Sequence, residues 1–120
     1  MEEKKTMDTY IRESEAALKR MLFRGEETVE GLVELYLGQE YKKIKIIASG
    51  SSYNAAWCAR YYIQDILKTE VEVTTPFDFV HYGQEEPAFC FVVSQSGRST
   101  NAIEALGTLR RSGRKAIGVT

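Results

Sequence analysis

Residues 89–100 read Phe-Cys-Phe-Val-Val-Ser-Gln-Ser-Gly-Arg-Ser-Thr, an apolar run of strand length that ends abruptly in a cluster of hydroxyl groups. Apolar residues at Ile103, Leu106 and Leu109 follow with helical spacing. The stretch therefore predicts a strand, a tight polar turn and the N-terminus of a helix in direct succession. That succession is typical of an α/β fold with a parallel sheet.

The polar turn in this stretch has the composition of an anion site. The first turn of a helix offers N–H groups without intrahelical acceptors and the positive end of the helix dipole. Ser94, Ser96, Ser99 and Thr100 can donate to phosphate oxygens, and Gly97 lets the backbone approach a ligand closely. An ordinary loop needs only one serine to cap the helix. Four hydroxyls and a glutamine exceed that need and favour a phosphate cradle.

The same order of strand, turn and helix occurs earlier in the chain. Residues 44–48 read Ile-Lys-Ile-Ile-Ala, residues 49–52 read Ser-Gly-Ser-Ser, and a helix is predicted from about Tyr53 to Leu67. In a parallel sheet both turns lie at the carboxyl ends of their strands, where open α/β sheets bind ligands. Because serine is common in turns, two independent helix caps are the alternative interpretation.

The remaining segments complete a predicted two-part organisation. Residues 1–40 are expected to form a helical hairpin, since amphipathic patterns lie on both sides of Gly25. Residues 41–120 are expected to form the sheet domain, with further strands at 71–74 and 115–120. A helix and another strand would be needed after the fourth strand to cover the sheet, so we expect this domain to be incomplete at its C-terminus.

Composition narrows the range of functions. The formal net charge is −1, which provides no broad basic field for nucleic acid or an acidic membrane surface. No apolar run is long enough to span a membrane. Cys58 and Cys90 fall in a helical and a strand pattern, so both are expected to be buried thiols. We therefore expect a cytoplasmic chain without nucleic-acid or membrane partners.

Several common site chemistries lack their motifs. The sequence contains no Gly-x-Gly-x-x-Gly, no Gly-x-x-x-x-Gly-Lys-Ser/Thr and no serine nucleophile elbow. Cysteine and histidine do not cluster as metal ligands, so no metal and no cofactor are expected. His81 is the only histidine, and beside Tyr82 and Gly83 it is more typical of a structural or solvent-facing side chain than of a general base.

Several groups of residues resemble sugar isomerase (SIS) domains. They are residues 48–54 (Ala-Ser-Gly-Ser-Ser-Tyr-Asn), Arg60 with Tyr61 on the following helix, residues 71–73 with Phe77, the predicted helix of residues 8–22 and, above all, residues 94–97 (Ser-Gln-Ser-Gly). The likeness is greatest to the first of two SIS domains in the isomerase half of glutamine–fructose-6-phosphate aminotransferases, and extends to related phosphosugar isomerases and deglycases. It covers nearly the whole chain.

The resemblance implies a three-layer, doubly wound parallel sheet with flavodoxin-like strand order and a homodimer. It also implies that the chain binds a ketose or aldose 6-phosphate. Ser51 matches a position near the sugar, and the phosphate would be held by Ser52, Ser94, Gln95, Ser96 and Ser99.

The sequence departs from this pattern in two ways. Arg98 and Ser99 follow the Ser-Gln-Ser-Gly turn, where the family commonly has an acidic residue and threonine. The role of Arg98, as a ligand contact or a solvated side chain, is left open. In the family, acid–base residues come from a second SIS domain and the tail, so no catalytic residue is assigned and this chain alone is expected to be inactive. A non-catalytic sensor of sugar phosphates is the alternative, and a purely structural role with the serines as caps is a third.

Overall fold

The computed structural model describes residues 4–83 and 87–120, without the side chain of Thr28. The chain divides into two compact units, Met1–Gln39 and Glu40–Thr120. The first unit contains one helix and the second contains a sheet with three helices. In chain order the elements are α1 (Met7–Leu37), β1 (Lys43–Ile47), α2 (Gly50–Leu67), β2 (Glu70–Thr74), α3 (Pro76–Tyr82), β3 (Phe89–Val93), α4 (Thr100–Arg111) and β4 (Ala116–Val119).

The predicted helical hairpin is wrong, because α1 is a single continuous helix from Met7 to Leu37. Gly25 and Gly31 both lie inside it, and neither has the positive φ that a left-handed helix end requires. A glycine inside a helix costs only about 1 kcal/mol relative to alanine, which the surrounding helix formers offset. Residues 1–3 of the predicted hairpin lie outside the described residues.

The second unit is a four-stranded parallel sheet with the order β2-β1-β3-β4. The chain starts at a central strand, moves outward to β2, crosses back over β1 to β3 and continues to β4. This is the doubly wound, flavodoxin-like order that the resemblance to SIS domains implies. Since crossover connections are right-handed, α2 and α4 lie on opposite faces of the sheet. The adjacent residues Ile46 and Ile47 are accordingly both buried, one on each face.

The main core lies on the face covered by α3 and α4. Phe79 and Leu109 are almost fully buried and contribute the largest side chains from the two helices. The other α4 residues of this core, Ala102 and Ala105, are small, which allows the helix to approach the strands closely. The core consists of Ile47, Phe79, Ala88, Cys90, Val92, Ala102, Ala105 and Leu109.

A buried lysine lies in the middle of β1. Lys45 is only 3% exposed, and its Nζ donates a hydrogen bond to the carbonyl of Gly83 at 2.7 Å. The same Nζ lies 3.9 Å from a carboxylate oxygen of Glu72 and 5.6 Å from the ring centroid of Phe79. Because a buried charge is stable only when it is paired, these contacts explain how the strand accommodates it. Lys45 thereby ties the end of α3 to β1.

The two cysteines differ in environment. Cys90 is buried in β3, as predicted, and burial raises the pKa of its thiol. The prediction for Cys58 is wrong, because this thiol is exposed on α2. Among residues 4–83 and 87–120, no helix has the length and apolar character needed to cross a membrane.

Candidate functional site

A cleft of about 220 Å³ opens at the carboxyl ends of β1 and β3. These neighbouring strands flank the point where the strand order reverses, which is where open α/β sheets bind ligands. All six residues that are predicted to bind phosphate and sugar line this cleft. The lining consists of Ser49, Gly50, Ser51, Ser52, Val93, Ser94, Gln95, Ser96 and Ser99.

One wall of the cleft is the N-terminus of α2. The helix begins at Gly50, three residues before the predicted start, so Ser51 and Ser52 lie in its first turn. Gly50 has a φ of +60°, a conformation that favours glycine and turns the chain sharply out of β1. The carbonyl of Ser49 accepts the N–H of Tyr53 at 3.3 Å. The N–H groups of the first turn have no intrahelical acceptor, so this wall presents backbone donors as well as hydroxyls.

The opposite wall is the loop of residues 94–99 between β3 and α4. The hydroxyl oxygen of Ser94 accepts the N–H of Gly97 at 3.2 Å, and that of Ser96 accepts the N–H of Arg98 at 3.1 Å. A hydroxyl that accepts through its oxygen still has its own proton to donate. These two bonds therefore fix the serine side chains while leaving each O–H able to donate to a bound anion.

The helix caps distinguish this cleft from ordinary turns. Ser49 and Ser99 occupy the N-cap positions of α2 and α4, but neither side chain hydrogen-bonds to its own helix in the described structure. By contrast, Thr6 and Thr75, the N-caps of α1 and α3, both accept a backbone N–H from the first turn. Capping therefore accounts for the two threonines but not for the two cleft serines.

The electrostatics of the cleft come from neutral groups. None of its lining residues carries a charged side chain. Two helix N-termini point their positive ends at it, and hydroxyls, an amide and backbone N–H groups supply the donors. This arrangement can hold a phosphate dianion without a lysine or arginine. It offers no imidazole or carboxylate for proton transfer.

Some residues considered in the sequence analysis do not line the cleft. Thr100 and Arg98 are exposed and absent from the lining. His81 packs against Phe77, with ring centroids 4.4 Å apart, and is also absent from it. Ser49, Gly50 and Val93 line the cleft in addition to the six predicted residues. Ser49 and Gly50 belong to the polar turn of residues 49–52, and their place between the apolar strand pattern and the helical pattern is the signal that identifies them.

Comparison with known proteins links this fold to sugar-phosphate enzymes, although no protein-family model matches the chain. The chain is 28% identical over 102 residues to the isomerizing glutamine–fructose-6-phosphate aminotransferase of Chlamydia pneumoniae, covering 71% of the chain and 17% of that enzyme. It is 31% identical over 84 residues to the enzyme of the same name from Caldanaerobacter subterraneus, covering 68% of the chain and 14% of that enzyme. The chain therefore spans less than a fifth of the length of these two relatives.

A solved structure matches the fold over almost the whole chain. A proposed phosphosugar isomerase of Clostridium difficile 630 superposes with a TM-score of 0.82, at 21% identity, over 96% of this chain and 32% of that one. At this identity the match establishes the fold. Together, the sequence and structure matches confirm the predicted resemblance and the predicted fold class.

Proposed function

The chain has the fold of a sugar isomerase (SIS) domain, and on that premise we propose that it binds the phosphate of a ketose or aldose 6-phosphate. One observation carries this proposal: two serine-rich turns and two helix N-termini converge on one uncharged cleft. Each feature alone is common, but together they supply many donors at one point with no competing carboxylate. Such a site favours a compact, multiply charged anion.

The residues divide into two roles in this proposal. The phosphate lies between the first turn of α2 and the loop of residues 94–99. Ser51 lies on the side of the sugar, and the phosphate is held by Ser52, Ser94, Gln95, Ser96 and Ser99. A phosphate with three terminal oxygens can accept from both walls at once, so binding bridges β1 and β3.

The activity of the whole protein is a further part of the proposal. The relatives named above are aminotransferases that act on fructose 6-phosphate. We infer that the chain is part of a sugar-phosphate isomerase, aminotransferase or deglycase, working in the cytoplasm as a homodimer. Residues 41–120 form the phosphosugar-binding domain in this scheme.

A specific observation favours a second candidate, a non-catalytic module that senses sugar phosphates. Moving a proton between two sugar carbons requires a positioned carboxylate, imidazole or similar group within hydrogen-bond reach. The residues that line the cleft include none. A sensor needs only the phosphate cradle, which this cleft supplies.

The ligand class can be tested by calorimetry on the wild-type chain. We expect fructose 6-phosphate and glucosamine 6-phosphate to bind, inorganic phosphate to bind more weakly, and fructose without phosphate not to bind measurably. The phosphate supplies most contacts in this proposal, and a charge-assisted hydrogen bond contributes about 1.5–3 kcal/mol. Equal binding of fructose and fructose 6-phosphate, or no binding of any phosphate compound, would contradict the proposed function.

Because none of the described residues that line the cleft carries a carboxylate or imidazole, we also expect the purified chain to lack catalytic activity. The purified chain should bind fructose 6-phosphate without converting it to glucose 6-phosphate or releasing ammonia from glucosamine 6-phosphate. An enzyme-coupled assay sensitive to slow turnover, at saturating substrate, measures this directly. A rate above that of the Ser96→Ala variant would show that this chain contains its own acid–base group and would exclude the purely sensing alternative.

A further inference from the structure

The loop that forms one wall of the cleft rests on the end of β4. The N–H of Ser94 donates to the carbonyl of Val119 at 2.9 Å, which extends the pairing of β3 with β4 one residue into the loop. This hydrogen bond fixes the point at which the loop leaves the sheet. The position of β4 therefore determines where the phosphate-binding serines begin.

The side chain of Thr120 lies beside the loop at Gly97. This glycine has a φ of +66°, and a Cβ at its position would lie 3.2 Å from Cγ2 and 3.8 Å from Cβ of Thr120. The Thr120 methyl thus lies against the face of Gly97 where any other residue would carry its side chain. The N–H of Gly97 is also the group that the Ser94 hydroxyl accepts.

From these contacts we propose that Thr120 is a positioning residue for the phosphate site, through the methyl group that supports Gly97. This inference rests on the proposed function of the cleft. With the methyl in place, the left-handed turn at Gly97 is held before the ligand arrives, and the Ser94 and Ser96 hydroxyls keep their orientation. Without it, the loop must be ordered when the phosphate binds, and that ordering weakens affinity.

The geometry separates the methyl of Thr120 from its hydroxyl. Thr120→Ser removes Cγ2 and keeps the hydroxyl, whereas Thr120→Val keeps Cγ2 and replaces the hydroxyl with a second methyl. A residue that acts by packing against Gly97 should tolerate valine and not serine. A residue that donates to the ligand should behave in the opposite way.

The experiment is calorimetry of fructose 6-phosphate with the wild-type chain, Thr120→Ser and Thr120→Val, well below the unfolding temperature of each. We expect Thr120→Ser to raise the Kd about three- to tenfold, the size expected for ordering one or two groups on binding, and Thr120→Val to leave it within about twofold. Amide hydrogen exchange without ligand supplies an independent measurement. The amides of Gly97 and Arg98 should exchange faster in Thr120→Ser than in the wild type, and those of α2 should not change.

Several results would overturn this inference. If the wild type binds and Thr120→Ser binds equally well with unchanged exchange at Gly97, the methyl does not position the loop. If Thr120→Val weakens binding while Thr120→Ser does not, the hydroxyl contacts the ligand instead. If the wild type binds no phosphate compound, the proposed function itself is wrong, and this inference is wrong with it. If the wild type binds and Thr120→Ser has no effect, only this inference is wrong. The two failures are therefore distinguishable.

Discussion

Replacing Ser96 by alanine is expected to weaken binding of fructose 6-phosphate by about 10- to 100-fold, because a hydrogen bond to a charged group contributes about 1.5–3 kcal/mol. The Ser96 hydroxyl oxygen accepts the N–H of Arg98, which leaves its own proton available to donate to a ligand. Calorimetric titration of the variant measures the change. Ser94→Ala should act similarly, since the Ser94 hydroxyl is fixed in the same way by Gly97.

The effect on folding should be much smaller than the effect on affinity. Each alanine variant loses one hydroxyl that accepts a loop N–H, which typically lowers the free energy of unfolding by about 1 kcal/mol. If the serines only shaped the loop, stability would fall by this amount and affinity would change little. A large loss of affinity with a small loss of stability therefore separates a cradle from a cap.

Ser112→Ala is the matched control. Ser112 lies at the C-terminal end of α4, the helix whose N-terminus lines the cleft, and its hydroxyl donates to the carbonyl of Leu109 at 2.7 Å. This variant also loses one serine hydrogen bond, but at the end of the helix away from the cleft. We expect lower stability and unchanged affinity. If Ser112→Ala and Ser96→Ala weaken binding equally, the loss reflects general destabilisation and the cradle is wrong.

The sequence correctly predicts that the two polar turns lie together, for a physical reason. In a parallel sheet every strand–helix turn lies at the same edge, so two polar turns after apolar runs must come close once the strands are neighbours. The turns at residues 49–52 and 94–99 meet this condition, because β1 and β3 are paired. The binding roles of their side chains stay predictions, since they depend on a ligand.

Predictions that relied on single residues were less successful. Gly25 between two amphipathic patterns predicts a helix boundary, yet the cost of a glycine inside a helix is too small to end one by itself. Cysteine is usually buried, which predicts an interior position for Cys58, but the helical pattern around it does not define which side of α2 meets the sheet. The propensity of a single residue favours one local structure or environment over another, but it does not determine which one the folded chain adopts.

Some features depend on contacts that no local pattern contains. Lys45 occupies an ordinary position in a strand of alternating residues, and its burial requires the carbonyl of Gly83, which is distant in sequence. The contact between Gly97 and Thr120 likewise joins the loop to a different strand. Both contacts arise from the pairing of strands and the docking of helices, so they appear only in the assembled fold.

Replacing Phe79 by alanine is expected to lower the free energy of unfolding by about 3–5 kcal/mol, the usual cost of removing a buried aromatic ring. Phe79 is 1% exposed, packs at the centre of the α3–α4 face and lies 5.6 Å below the Lys45 ammonium. Its loss leaves a cavity beside a buried charge. Because small domains are stable by only about 5–15 kcal/mol, this loss is a large fraction of the total stability.

Phe77→Ala is the control on the same helix, because Phe77 is 60% exposed and packs mainly against the His81 ring. Urea denaturation followed by circular dichroism should show a small change for Phe77→Ala and a large one for Phe79→Ala. Similar losses in both variants would mean that α3 does not cover the sheet as described.

The cleft depends on this packing as well, because Phe79 belongs to the same core as Ile47 and Val92 near the carboxyl ends of β1 and β3. Phe79→Ala should therefore weaken sugar-phosphate binding through unfolding, whereas Ser96→Ala should weaken it in a folded chain.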